Sequence, residues 1–178
     1  DRNVAVGKSA LALFNPSSNE DSYNTAVGYY ALGDATTGNQ NTALGAIALA
    51  NTTTGIRNIA VGYSTLYVNT TGSSNIAMGT NALYSNTTAD HNTAVGREAL
   101  YTNTTGHTNI AMGNYSLRYC TTGDFNIAIG YQALEDLTTA NDNIAIGYHA
   151  GNKITTGAGH TYIGWAAGSS TTTGTNNV

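Results

Sequence analysis

Asp90, His107 and Asp124 are the residues whose types and spacing could do chemistry, because carboxylate, imidazole and carboxylate recur at steps of 17 residues, with His91 beside Asp90. Such side chains ligate divalent metals, and a carboxylate against an imidazole forms a pH-sensitive pair. A closed metal site needs three or four convergent ligands. This column is short and falls in a turn open to water, so no resident metal is expected, and Asp90, His107 and Asp124 are only weak candidates. Tyr67, Tyr84 and Tyr101 share the same step, and Arg118 continues their column. Rings repeated every ~4.8 Å would stack with an offset. An exposed ladder of that kind could grip a glycan or a protein receptor; a covered one would only brace the fold. A second set, Tyr29, Tyr63, Tyr131, Tyr148 and Trp165, is interrupted by Ala46, Thr80, Arg97 and Asn114 and reads as variable surface. No Ser, His and Asp share a register that would join a nucleophile to a base. The glycines are periodic rather than gathered into a phosphate loop. The expectation is a protein that is not an enzyme, with no catalytic residue and no cofactor.

What positions these residues is a repeat. The unit Asn58-Ile59-Ala60-Val61-Gly62-Tyr63-Ser64-Thr65-Leu66-Tyr67-Val68-Asn69-Thr70-Thr71-Gly72-Ser73-Ser74 recurs without a slipped residue from Asn24 onward. Its first position falls at Asn24, Asn41, Asn58, Asn75, Asn92, Asn109, Asn126, Asn143 and His160. A looser copy starts at Asn3, and a further one begins at Asn177-Val178. Self-similarity at a fixed period marks a repeat architecture. Numbered from the Asn, position 3 is Ala until Tyr162, position 5 is Gly throughout, and positions 13 and 14 are Thr-Thr. Position 9 is Leu from Leu11 to Leu134 and then Gly151 and Gly168. The first copy departs through Asn15 to Tyr23, four residues longer than the rest, and predicts a surface loop over 15–23.

Gly, Thr and Asn recur too often for a helical stripe. Positions 2 to 4 alternate as a short strand, the Gly closes it by a positive φ or a close backbone approach, and positions 8 to 10 read as a second strand. The fold class expected is all-β: a parallel β-solenoid of 17-residue coils spanning 1–178 as one array. Ten coils stacked at ~4.8 Å give a rod on the order of 50 Å. Identical Asn amides one coil apart should bond along the stack. Neither end shows a polar cap of the kind solenoids carry, so the array reads as a segment of a longer one.

Charged residues make up 9% of the 178 and the net charge is −4, with six scattered Lys and Arg. Nucleic-acid binding needs clustered basic charge and is not expected. No apolar run approaches the ~18 residues of a membrane span, so no membrane contact is expected from this segment, and no signal peptide is seen. The single cysteine, Cys120, permits no intrachain disulfide.

If Ala60 and Leu66 fill the coil, Ile59 and Val61 point outward. The stripe then runs on through Ile76, Met78, Val95, Ile110, Met112, Ile127, Ile129, Ile144 and Ile146. Along ten coils it should far exceed the few hundred Å² that monomers expose, and a closed homo-oligomer would cover it. Asn-Ile-Ala-Val-Gly, followed three residues after the Gly by a small residue (Ala31, Ala48, Thr65, Ala82, Ala99, Ser116, Ala133, Ala150), resembles the head repeat of YadA-like trimeric autotransporter adhesins. That family builds a left-handed parallel β-roll trimer from shorter repeats, and the residues added here around Thr-Thr-Gly imply a longer outer loop. The unit with Tyr-x-Ala-Leu and Asn-Thr-Thr-Gly also looks like repeats of phage and bacterial tail-fibre-type proteins. The resemblance implies a homotrimeric, left-handed roll serving as the extracellular shaft of an adhesin or virion tail fibre. Its partners would be copies of itself and a host-surface glycan or protein receptor.

Two alternatives use the same surfaces. The Thr-Thr columns could bind ice, with one Thr of each pair facing out; the Tyr67, Tyr84 and Tyr101 ladder could make a carbohydrate-binding module. Asn51, Asn69, Asn86, Asn103 and Asn114 stand in glycosylation sequons.

Overall fold

The computed structural model describes residues 2–15 and 22–178, and over these the chain is a parallel β-solenoid without a helix. Ten strands of three residues each pair in chain order into one parallel sheet. They are β1 (Val4–Val6), β2 (Thr25–Val27), β3 (Thr42–Leu44), β4 (Ile59–Val61), β5 (Ile76–Met78), β6 (Thr93–Val95), β7 (Ile110–Met112), β8 (Ile127–Ile129), β9 (Ile144–Ile146) and β10 (Thr161–Ile163). Ala60 of β4 pairs with Ala43 of β3 on one side and Ala77 of β5 on the other. The period read from the sequence is therefore the period of the stack. Val4 pairs with Thr25, so the first coil carries the four extra residues; residues 16–21 of the expected 15–23 loop lie outside the described residues.

The burial pattern follows from the width of the coil. Ala60 turns inward and is completely covered, as is Leu66 from the opposite wall, while Ile59 stays exposed and Val61 half-buried. A methyl is what the narrow interior admits behind the strand, and the Leu column fills the remainder, coil upon coil. Each coil contributes an apolar layer that only its neighbours can cover, as solenoid stacking requires.

The Asn column is the polar counterpart of that core. Asn58 is fully buried. Its Nδ2 donates to the Gly72 carbonyl at 2.8 Å and to Asn41 Oδ1 at 3.2 Å, and its main-chain N–H donates to Asn41 Oδ1 at 2.9 Å. Its own Oδ1 accepts from the Asn75 N–H at 3.0 Å. Buried amides must find partners, and here one side chain satisfies the strand entrance of its own coil and of the next. The ladder the repeat predicts is present.

The second expected strand is not. Around positions 8 to 10 the chain turns tightly, with Ser64 at φ 54° and Leu66 at φ 51°, both in the left-handed region. Alternating left-handed residues destroy a pleat, yet the coils still bond there: Leu66 N–H donates to the Ala82 carbonyl at 3.0 Å and Thr70 N–H to the Thr87 carbonyl at 2.9 Å. Left-handed Leu costs roughly 1–2 kcal/mol. Complete burial of the side chain contributes about 1.5–3 kcal/mol, so packing wins over local preference. Gly62 serves the corner in both of the expected ways. Its φ is +133°, and a Cβ there would lie 2.9 Å from the Gly79 carbonyl.

The last coils depart from the pattern together. Tyr162 replaces the inward Ala, and its ring occupies the space that position 9 vacates by becoming Gly: a Cβ on Gly168 would lie 2.6 Å from Tyr162 Cζ, and one on Gly151 3.4 Å from Tyr162 Cδ2. His160 takes the last described Asn place but one. Its Nδ1 accepts the Asn177 N–H at 3.2 Å, while its buried Nε2 has no partner.

Candidate functional site

The Asp90, His107, Asp124 column is aligned, but its atoms are used by the backbone. Ser73 N–H donates to Asp90 Oδ1 at 2.6 Å, Asp90 N–H to His107 Nδ1 at 2.9 Å, and His107 N–H to Asp124 Oδ1 at 2.7 Å. Asp124 N–H donates in turn to Asn141 Oδ1 at 2.8 Å. This is a second, surface ladder in which each side chain caps the preceding coil. Asp90, His107, Asp124 and Asn141 share an acceptor atom within reach of the N–H one coil before. The groups point along the stack rather than toward one point, and among the described residues no three His, Cys, Asp or Glu gather to hold a metal ion.

Tyr67, Tyr84 and Tyr101 do stack, with centroids 5.4 and 5.3 Å apart and planes 19° and 23° from parallel. All three are half-buried. Burial pushes the Tyr84 phenol above its ordinary pKa, with the neighbouring Tyr101 and Tyr67 adding to the effect. The ladder braces the wall and offers little ring surface to a ligand. It ends in charge: Arg118 Nη2 lies 2.6 Å from Glu98 Oε2, and Arg118 Nη1 lies 3.8 Å from Glu135 Oε1. The Arg118 guanidinium also sits over the rings of Tyr115 and Tyr119, at 4.9 and 5.1 Å from their centroids. Two nearly buried carboxylates and a stacked guanidinium thus replace aromatic stacking as the link between coils.

The position 6 set, read as variable surface from the sequence, is exposed along the rod at Tyr29, Tyr63, Tyr131 and Tyr148, with Trp165 on the last coil. Tyr131 and Tyr148 stack at 5.4 Å and 13°, and Tyr148 and Trp165 at 6.3 Å and 4°. His149 lies against Tyr148 at 4.0 Å, and Tyr115 meets Tyr131 edge-on at 5.8 Å. The available signal was that three consecutive coils carry an aromatic residue at this one position. Interruptions elsewhere in the column masked it.

The outward stripe is where the sequence puts it. Ile59, Ile76, Met78 and Met112 are exposed, whereas Val61, Val95, Ile110, Ile127, Ile129, Ile144 and Ile146 are half-buried by their neighbours along the sheet. No charged residue occurs at positions 2 to 5 of any coil. In the Thr pairs, the first hydroxyl donates to the next coil, as Thr70 Oγ1 does to the Thr87 carbonyl at 3.0 Å. The second Thr is exposed, leaving a single file at Thr71, Thr88 and Thr105. Of the sequon residues, Asn69, Asn86 and Asn103 are fully buried, so only Asn51 and the exposed Asn114 can be reached in the folded chain. The buried amides form a further ladder, with Asn86 Nδ2 donating to Asn69 Oδ1 at 2.9 Å and Asn103 Nδ2 to Asn86 Oδ1 at 3.0 Å. Cys120 follows them in the core, and burial pushes its thiol up to about 11.

No family model matches the chain, and no curated protein or solved structure matches it either. No helix among the described residues is long and apolar enough to cross a membrane.

Proposed function

We propose that the protein is the shaft segment of an extracellular or virion fibre that assembles as a homotrimer, extending and presenting an attachment surface. The observation that carries this reading is the outward face of the sheet: two columns of Ile, Val, Leu, Met and Thr, without a charge, running through ten strands. Nine steps of ~4.8 Å make the face about 45 Å long, and two columns make it roughly 10 Å wide. Its area, on the order of 450 Å², lies within the range of the largest patches that monomers expose rather than far above it. Shape supports the reading more than area does. A straight, uncharged strip matches an identical strip, and three copies around an axis parallel to the rod bring three such strips together. The resemblance to trimeric adhesin heads points to the same stoichiometry, with a host glycan or protein receptor as the outer partner.

Size-exclusion chromatography with light scattering tests the assembly. The wild type should run at three chain masses, and Ile76→Asp with Met78→Asp at one, with unchanged β circular dichroism because both side chains lie outside the coil. A wild type that is a stable monomer at micromolar concentration overturns the reading, and thermal hysteresis from that monomer would point instead to the exposed Thr file.

A further inference from the structure

We infer that position 17 of one copy packs in register against position 6 of the next, along the edges of the outward sheet face; the inference rests on the trimeric reading above. Two corners bound that face. On one side the chain turns at Gly62 and its equivalents and leads into position 6. On the other it turns at position 17, just before the Asn, where the backbone is left-handed in every coil. Phe125 holds this corner at φ 57° and is 57% exposed; Tyr23 holds it at φ 50° and is 47% exposed, with Arg2 over its ring. A left-handed backbone disfavours any residue with a Cβ, and Gly159 occupies the same corner in a later coil. A large ring placed there, strained and half in water, does little for its own chain.

What such a ring could meet follows from the symmetry. In a cyclic trimer the position 17 edge of each strip lies beside the position 6 edge of the next, a head-to-tail contact that closes after three copies. Six residues of a 17-residue coil climb only about a third of the ~4.8 Å step. Copies related by rotation alone therefore bring each position 17 beside the residue six places later in the next copy. Phe125 then meets Tyr131, and Tyr23 meets Tyr29, so the Phe and the Tyr of position 17 both face an aromatic ring. Ser74 meets Thr80, small against small. Arg57 comes beside the ring of Tyr63, and the Asp142 carboxylate beside the phenol of Tyr148. From Asn24 onward no pair joins two like charges while His91 is neutral; the looser first coil would set Arg2 against Lys8, and the match begins after it. Sliding one copy by a coil sets Phe125 against Asn114 in one direction and Tyr23 against Ala46 in the other. Within one chain the two edges never meet, since the three residues of β8 alone hold Phe125 and Tyr131 about 10 Å apart.

Disulfide trapping in the intact chain tests the contact. On mild oxidation, Phe125→Cys with Tyr131→Cys should give a covalent trimer on a denaturing gel, because each of the three edges closes one bond; the buried Cys120 takes no part. Arg57→Cys with Tyr63→Cys repeats the test in another coil. Neither pair can bridge within a chain, since a disulfide needs Cα atoms within about 7 Å. Phe125→Cys alone, and Phe125→Cys with Tyr63→Cys, four coils or ~19 Å out of register, should stay at one chain. Circular dichroism and light scattering check the fold and mass of every variant before oxidation. Phe125→Ala should raise the concentration for half-assembly about tenfold or more. A trimeric wild type whose two in-register pairs stay uncrosslinked overturns the inference and leaves the trimeric reading standing. Crosslinking by the out-of-register pair, or a covalent dimer as the final product, overturns it as well. A monomeric wild type removes both.

Discussion

The pairing of Tyr162 with Gly168 can be tested by a double-mutant cycle. In the standard coil an inward Ala faces a Leu; in the last coil a Tyr faces a Gly. Tyr162→Ala removes a nearly buried ring that spans two glycine positions, and deletions of that size cost roughly 3–5 kcal/mol. Gly168→Leu places a Cβ 2.6 Å from the ring, which costs about 1–3 kcal/mol in overpacking. It also puts Leu at φ +66°, a further ~1–2 kcal/mol of left-handed strain. The double variant recreates the Ala60 and Leu66 arrangement of the coil at Asn58; it keeps the ~1–2 kcal/mol of left-handed strain and adds about 1–2 kcal/mol for the unfilled space at Gly151. The strain is common to both Leu variants and cancels, so the coupling is about 2 kcal/mol or more, in the upper part of the range for residues in contact. Because solenoids open locally from exposed coils, the assay is native-state hydrogen exchange at the β10 amides, supported by urea unfolding. Exchange elsewhere shows whether the remaining coils stay folded in each single variant. Effects that add to within about 0.5 kcal/mol would refute the idea that the ring and the glycine fill one space.

Three further outcomes follow from the ladders and the core. Asn75→Ala leaves the Asn92 N–H without the partner it holds at 2.9 Å and the Ala89 carbonyl with Asn86 Nδ2 alone at 3.1 Å; one orphaned buried group and one lost hydrogen bond should cost about 2–4 kcal/mol by urea unfolding, and a loss below 1 kcal/mol would contradict the ladder's role. His160→Asn restores the missing amide, and slower exchange of the amides beyond 160, worth about 1 kcal/mol, is expected in place of the partnerless Nε2. Cys120 should resist thiol reagents at pH 8 until the chain unfolds, since burial holds the thiol protonated up to about 11. A folded-state value raised above the unfolded one of about 9 means that the stability from this group is present below pH 9 and lost as pH rises through 11. Stoichiometric labelling of the native protein with unchanged circular dichroism would refute that burial.

The sequence alone determined the period, the strand at positions 2 to 4, the inward Ala, the outward Ile and Val, and the Asn ladder. Each of these is a consequence of identical residues meeting themselves one coil away, so reading a column is equivalent to reading a contact. What the columns could not carry was anything set between positions. Leu at position 9 is a poor choice for a left-handed backbone by local preference, and only the pull of the narrow core holds Leu66 there, so the expected second strand became a turn. Tyr162 and the late glycines stand as separate exceptions in their columns, and the ring that joins them is visible only when the coil is closed. The Asp90, His107 and Asp124 column was correctly aligned, yet its acceptors are spent on the backbone N–H groups of the coil before, a direction that residue types do not encode. Exposure decided between the two aromatic sets in the same way. Neighbouring side chains half-cover Tyr67, Tyr84 and Tyr101, whereas Tyr29, Tyr63, Tyr131 and Tyr148, just past the glycine corner, are exposed.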